Sequence, residues 1–256
     1  IPRYEMFHSC KNAVNFLEGK EGHEHLWVIK PEGQKDLDWT YIETYEGEAI
    51  DILKHNLPSQ YGDKVDLLIQ EKIEGVELST AVRWNGNEFT AFSRTFERKK
   101  LADGNLSCST GSQSNEVYMC DKMEGVVFDE MKKLKPYLEL SEAVICIDAN
   151  CIINESGNYF LEWTPREGFS STYLELSFLP EGQIANYFVN GFKALYKPGV
   201  VSSEVVSLWP YPAPEKRLLD QKVKNNLINH RLQDLSNFWM QDVYKDDEGS
   251  LRCVGT

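Results

Sequence analysis

Apolar positions along this chain change period several times, and each change marks an element. From His8 to Glu18 they recur at helical spacing, with Ala13, Phe16 and Leu17 on one face and Ser9 placed as a cap. Residues 23–26 read as a polar turn. Leu26–Lys30 is then a short strand that ends on a lysine, before Pro31-Glu32-Gly33. Thr40–Ile42 is another short strand, Gly47–Asn56 a helix and Val65–Gln70 a buried strand. Glu77–Trp84 and Glu88–Phe96 alternate on either side of Asn85-Gly86-Asn87, which predicts a hairpin. Asp103–Asn115 is rich in Gly, Ser, Asn and Thr, has no apolar period and reads as a loop. Phe128–Leu138 predicts an amphipathic helix. Ala143–Ile153 and Asn158–Trp163 predict a second hairpin, Gln183–Tyr196 a helix and Val201–Leu208 a strand. A proline-rich break follows at 210–214, and Asp246-Asp247-Glu248-Gly249 predicts a late turn in a small β unit. The pattern is that of an α+β protein with antiparallel sheets and a boundary near residue 200.

Composition narrows the function. In 256 residues there are 40 acidic and 27 basic side chains, a formal charge of −13. That balance excludes a protein that wraps nucleic acid, which needs a basic surface. No run approaches the roughly 20 apolar residues of a membrane-spanning helix. The six cysteines form no Cys-x-x-Cys pair, and reduced thiols in the cytoplasm are expected. The chain opens on Ile-Pro-Arg-Tyr without a Met and ends on an unfinished strand pattern, so a piece of a longer gene product is expected.

Three segments carry candidate chemistry. Gln70–Ser79 passes from an apolar strand through acidic residues and Gly75 into an alternating strand. Such a hinge can offer backbone groups to an adenine edge and a carboxylate to a ribose hydroxyl, or it is a charged bend. Asp148 and Asn150 share a strand face, being two apart, and Glu162 closes the neighbouring strand. Hard oxygen ligands so placed suit magnesium, which also binds substrate phosphates. Asp148 stands in an apolar run, where an unpaired carboxylate is expensive. Glu97-Arg98-Lys99-Lys100 leads into a small-residue loop with Ser109-Thr110-Gly111-Ser112, a combination that fits an anion clamp, or else a solvated charged edge.

Taken in order, these segments resemble the ATP-grasp superfamily, and within it the phosphoribosylamine–glycine ligase family. Val28-Ile29-Lys30-Pro31-Glu32-Gly33 is similar to the family's phosphate-contacting strand and lysine, and Glu71–Ser79 to its adenine hinge. Glu97–Lys100 with Asp103-Gly104-Asn105 and Thr110-Gly111 resembles its charged strand and substrate loop. Tyr159–Gly168 resembles its metal-binding Glu-x-Asn segment and following arginine, with Thr164 in place of the Asn. Residues 205–212 resemble the start of its C-terminal domain, and Gln34-Lys35-Asp36-Leu37-Asp38-Trp39 replaces its Gly-rich phosphate loop.

The resemblance implies two α+β lobes, 1–75 and 76–200, with antiparallel sheets clamping a nucleotide, and a C-terminal β unit begun at 201–256. It implies an ATP-dependent carboxylate–amine ligase of purine biosynthesis, acting through an acylphosphate, with ATP and Mg2+ as cofactors. Lys30 and Lys99 would meet the phosphates, Glu71 and Ile73 adenine, and Glu77 the ribose. Glu162 with Asp148 or Asn150 would hold the metal, and Arg166 the carboxylate or γ-phosphate. Asn105, Thr110 and Gly111 would line the substrate loop. Small-molecule substrates, no nucleic acid or membrane partner and a possible homodimer are expected. A second reading stays open: an ATP-grasp protein that binds nucleotide or a protein partner without ligation.

Overall fold

A computed structural model describes residues 1–19, 25–32, 40–102, 106–168, 171–193, 203–206 and 243–253. The expected turn at 23–24, the loop at 34–39, Asn105 and the proline break at 210–214 lie outside them.

The chain begins with β1 (Tyr4–Phe7) and α1 (Cys10–Leu17). Ser9 caps α1 by accepting the Asn12 amide at 3.2 Å, as Ser favours at that position. There follow β2 (Trp27–Glu32), β3 (Tyr41–Ile42), α2 (Glu48–Asp51), a π turn over Ile52–Asn56, α3 (Leu57–Tyr61) and β4 (Asp66–Glu71). The first sheet has the order β1-β4-β2-β3, all antiparallel. The helices pack Cys10, Ala13, Leu17, Leu53 and Leu57 onto its Trp27, Ile29, Leu67 and Ile69.

Residues 72–75 link this sheet to the next. The Lys72 amide donates to the Leu26 carbonyl at 2.8 Å, and Asn154 Nδ2 donates to the Glu74 carbonyl at 2.9 Å. Gly75 passes so close to the second sheet that a Cβ there would overlap the Ile153 carbonyl oxygen and stand 2.6 Å from Ile152 Cγ2. Gly75→Ala is therefore expected to destabilise the protein by about 1–3 kcal/mol through overpacking, read as a lower urea midpoint.

The second part contains β5 (Val76–Trp84), β6 (Phe89–Ala102), β7 (Leu106–Cys120), α4 (Val126–Lys132), α5 (Lys135–Ser141), β8 (Ile145–Asn154), β9 (Gly157–Thr164), α6 (Ser171–Ser177), α7 (Ile184–Val189) and β10 (Ser203–Val206). Its sheet has the order β10-β7-β6-β5-β8-β9. The β5–β6 turn forms because Asn85 Oδ1 accepts the Asn87 and Glu88 amides while Gly86 takes φ +94. One sheet face buries Val82, Ile147 and Ala149 against Phe128 and Met131 of α4. On the other, Ala91 and Val117 meet Leu174, Phe178, Leu179 and Tyr187 of the α6–α7 region. A separate two-stranded sheet pairs β11 (Val243–Lys245) with β12 (Leu251–Cys253). Its turn is built on Asp246 Oδ1, which accepts the Glu248 and Ser250 amides.

The α+β class with antiparallel sheets is as expected, and three local expectations need correction. Residues 106–115, expected as loop, are strand, because β6 pairs with them, with two register shifts, from Ala102 opposite Leu106 to Glu97 opposite Asn115. Pairing overrides the weak strand propensity of Ser, Gly and Asn. The helix expected over 128–138 is two helices. Lys133 and Leu134 close tight i→i−3 turns, and Pro136 has no amide to continue the first helix. Among the described residues the helix expected from 183 ends at Val189, where Gly191 and Phe192 take positive φ. β10 lies beyond the expected boundary near 200 yet pairs with β7. Among the described residues no helix is long and apolar enough to cross a membrane.

Candidate functional site

Sheet register gathers polar groups onto one face of the six-stranded sheet. Side chains alternate along each strand, so Glu77, Ser79, Ala81 and Arg83 of β5 share a face. Opposite them on β6 stand Glu97, Thr95, Ser93 and Ala91, and on β8 Ile152, Asn150, Asp148 and Cys146. On β9, Glu162 faces Asn150 and Thr164 faces Asp148. The α6–α7 helices cover the Ala91 and Val117 part of this face. The remainder carries the charged groups.

Lys99 Nζ lies 2.7 Å from Glu77 Oε2 and 3.2 Å from Glu97 Oε2. The two carboxylates hold the ammonium pKa up against the opposing effect of its burial. Burial pushes the Glu97 carboxyl up, and Lys99 opposes that push. Asp148 is buried and accepts from Ser79 Oγ at 2.5 Å. Burial raises its pKa from the ordinary aspartate value, against the pull of Ser79, Arg83, Arg166 and Lys99. A buried carboxyl so placed gains from an added cation. Asn150 Nδ2 donates to Thr164 Oγ1 at 2.7 Å, which leaves its carbonyl oxygen as its ligating atom. Glu162 is exposed. Arg166 is exposed and donates to the Glu167 carbonyl at 3.0 Å.

The structure thus brings Glu77, Lys99, Asp148, Asn150 and Glu162 onto one face, and places Arg166 two residues past the end of β9. It does not join Lys30, Glu71 or Ile73 to them by any described contact. Lys30 is on β2, opposite Leu68, and no carboxylate among the described residues pairs with it. Glu71 meets His25 at 3.3 Å. Ile73 lies in the link between the sheets. Thr110 and Gly111 have strand backbone in β7. The sequence reading gave no role to Glu97, and counting outward from the β5–β6 turn does not find it, because a register shift beside the turn is what sets it opposite Glu77.

A metal was expected at Asp148 or Asn150 with Glu162. Among the described residues no group of three or more His, Cys, Asp or Glu gathers as a metal cluster. The donor set is two carboxylates and an amide oxygen, which fits a hard cation that takes its other ligands from phosphates and water.

Two antiparallel sheets in this arrangement, joined at a tight hinge, define a protein of the ATP-grasp fold. Residues 1–145 match the phosphoribosylglycinamide synthetase ATP-grasp (A) domain family, and the chain belongs to it. Phosphoribosylamine–glycine ligase from Thermotoga maritima superposes with a TM-score of 0.63 at 20% identity, over 99% of this chain and 64% of that one. N5-carboxyaminoimidazole ribonucleotide synthetase, solved as an ADP complex, gives 0.52 at 12% identity, over 82% of this chain and 52% of that one. This chain spans less than two thirds of either, and at these identities the likeness is one of fold. A search of curated proteins gave no match.

Proposed function

We propose that the protein is an ATP-dependent carboxylate–amine ligase of the phosphoribosylamine–glycine ligase kind. The observation that carries this reading is the polar sheet face, with Asp148, Asn150 and Glu162 in register beside the Lys99–Glu77–Glu97 cluster. A substrate carboxylate would attack the γ-phosphorus of ATP and release ADP. An amine would then attack the acyl carbon and release phosphate. Lys30, Lys99 and Arg166 would supply the positive charge that steadies the transferring phosphoryl group. Glu71 and the Ile73 backbone would meet adenine, Glu77 the ribose, and Asn105 with Thr110 and Gly111 the acceptor. Asp148 or Asn150 with Glu162 would hold Mg2+, which when bound adds charge neutralisation at the phosphates. The substrates would be small molecules met in the cytoplasm, within purine biosynthesis, and the two sheets with their helices would form the clamping lobes.

Calorimetric titration with ATP, with and without magnesium, tests the reading. Magnesium-dependent binding supports it. Lys30→Ala is then expected to weaken ATP by about tenfold while leaving adenosine unchanged, one charged contact's worth; equal losses would contradict a phosphate role. One observation favours the second reading, a nucleotide or partner binder without ligation: Thr164 holds the amide of Asn150 and offers only a hydroxyl itself. ATP binding with no phosphate release on adding amino acids and amines would select the nucleotide binder, and a folded protein that binds no ATP would select the partner binder.

A further inference from the structure

Arg83 has no part in the roles above, yet it is a guanidinium with 1% exposure one residue from the end of β5. It lies two residues from Ala81, the partner of Asp148, and on the same face. Its Nη1 donates to Ser93 Oγ at 3.0 Å, and its Nε and Nη2 donate to the two carboxylate oxygens of Glu167 at 3.3 and 2.6 Å. Nη2 also meets Glu175 on α6, and Ser93 Oγ donates to Glu175 at 2.7 Å. Glu167 lies in the segment between the end of β9 and α6, and Glu175 lies within α6. One buried fork therefore ties that segment to the helix that follows it. The chain of contacts continues outward, because the Glu167 carbonyl accepts from Arg166 Nη1 at 3.0 Å. Two links join a buried cation to the exposed Arg166.

Stability alone does not account for this arrangement, since apolar side chains of similar volume usually stabilise a core as well as a buried ion cluster does. What a planar fork adds is direction. We infer that Arg83 is a positioning residue: through Glu167 it fixes where the Arg166 guanidinium stands at the edge of the polar face, ready for a phosphate or carboxylate oxygen. The inference rests on the ligase reading for the identity of that anion, though not for the anchoring itself.

The test uses the full chain with Arg83→Lys, which keeps the charge and loses the fork, and the milder Glu167→Gln, which keeps the shape and loses the ion pair. Near-ultraviolet circular dichroism reports folding. Hydrogen exchange at the amides of 166–168 reads the anchoring, and titration with magnesium-ATP and with adenosine reads the consequence. Folded variants are expected to exchange about tenfold faster at 166–168 and to bind magnesium-ATP about tenfold more weakly, with adenosine unchanged. In an Arg166→Ala background, Glu167→Gln is expected to have no further effect on ATP, because it acts through that arginine. Wild-type exchange in both folded variants would overturn the anchoring. Faster exchange with unchanged magnesium-ATP affinity, or a full Glu167→Gln effect without Arg166, would overturn the positioning of Arg166. If the parent protein binds no magnesium-ATP, the ligase reading falls, and the exchange rates still decide whether Arg83 holds the segment.

Discussion

Glu162→Gln is expected to lower ATP affinity in magnesium by about a hundredfold, to the level seen with a chelator, and to leave the fold unchanged. Removal of a metal-site carboxylate or its support typically costs 10- to 100-fold. Glu162 faces Asn150 across the β8–β9 ladder. Asp148 is its diagonal neighbour on that face, a relation that spans roughly 7–8 Å in an antiparallel pair. A cation between them would meet two carboxylates and the amide oxygen, and phosphates would complete its shell. Because Glu162 is exposed, its exchange for an isosteric amide should move stability by no more than about 0.5 kcal/mol. Asp148→Asn is a poorer test, since Asp148 is buried and accepts from Ser79, so a loss there mixes folding with binding. Titration of the folded Glu162→Gln protein with and without magnesium decides the matter. Unchanged affinity in magnesium would remove Glu162 from the site.

The elements legible in the sequence were those whose cores are local. α1 shows its apolar face and its Ser9 cap, and both hairpins show their turns, because each signal lies within a dozen residues. β7 did not show itself. Its first half is polar and its strand character comes from the partner it lies against, with Asn115 opposite Glu97 and itself only 1% exposed. β1 was missed for a related reason. It is an edge strand paired only to β4, with Tyr4 and Met6 about half exposed, so no buried alternation marks it. The shared sheet face of Asp148, Asn150 and Glu162 was legible, because strand parity suffices for it. The site was not legible where groups meet across the fold. Arg83 and Glu175 are 92 positions apart, and no spacing rule connects them. Nor does sequence show that Lys99 is held by the very Glu77 that was read as a separate ribose contact.

Arg83→Met should destabilise the protein by about 3–5 kcal/mol, the usual consequence of removing one partner of a buried ion cluster. In a chain of this size that lowers the melting temperature by roughly 10 °C. The loss comes less from the missing attraction than from what remains. Glu175 is 6% exposed, and without the guanidinium Ser93 is the one hydrogen-bond partner left to its carboxylate among the described residues. Glu167, with 26% side-chain exposure, can turn toward water. Arg83→Met combined with Glu175→Leu should therefore recover most of the stability, because an apolar pair of similar volume replaces the buried charges. Urea unfolding of the wild type, both single variants and the double variant measures the coupling. If the double variant is as unstable as the sum of the singles, the cluster is not one unit. If it is stable, its segment at 166–168 should still exchange quickly, since the fork that held Glu167 is gone. That combination separates the two consequences of one buried arginine: its charge is an energetic liability that its partners offset, and its geometry is what the exposed Arg166 depends on.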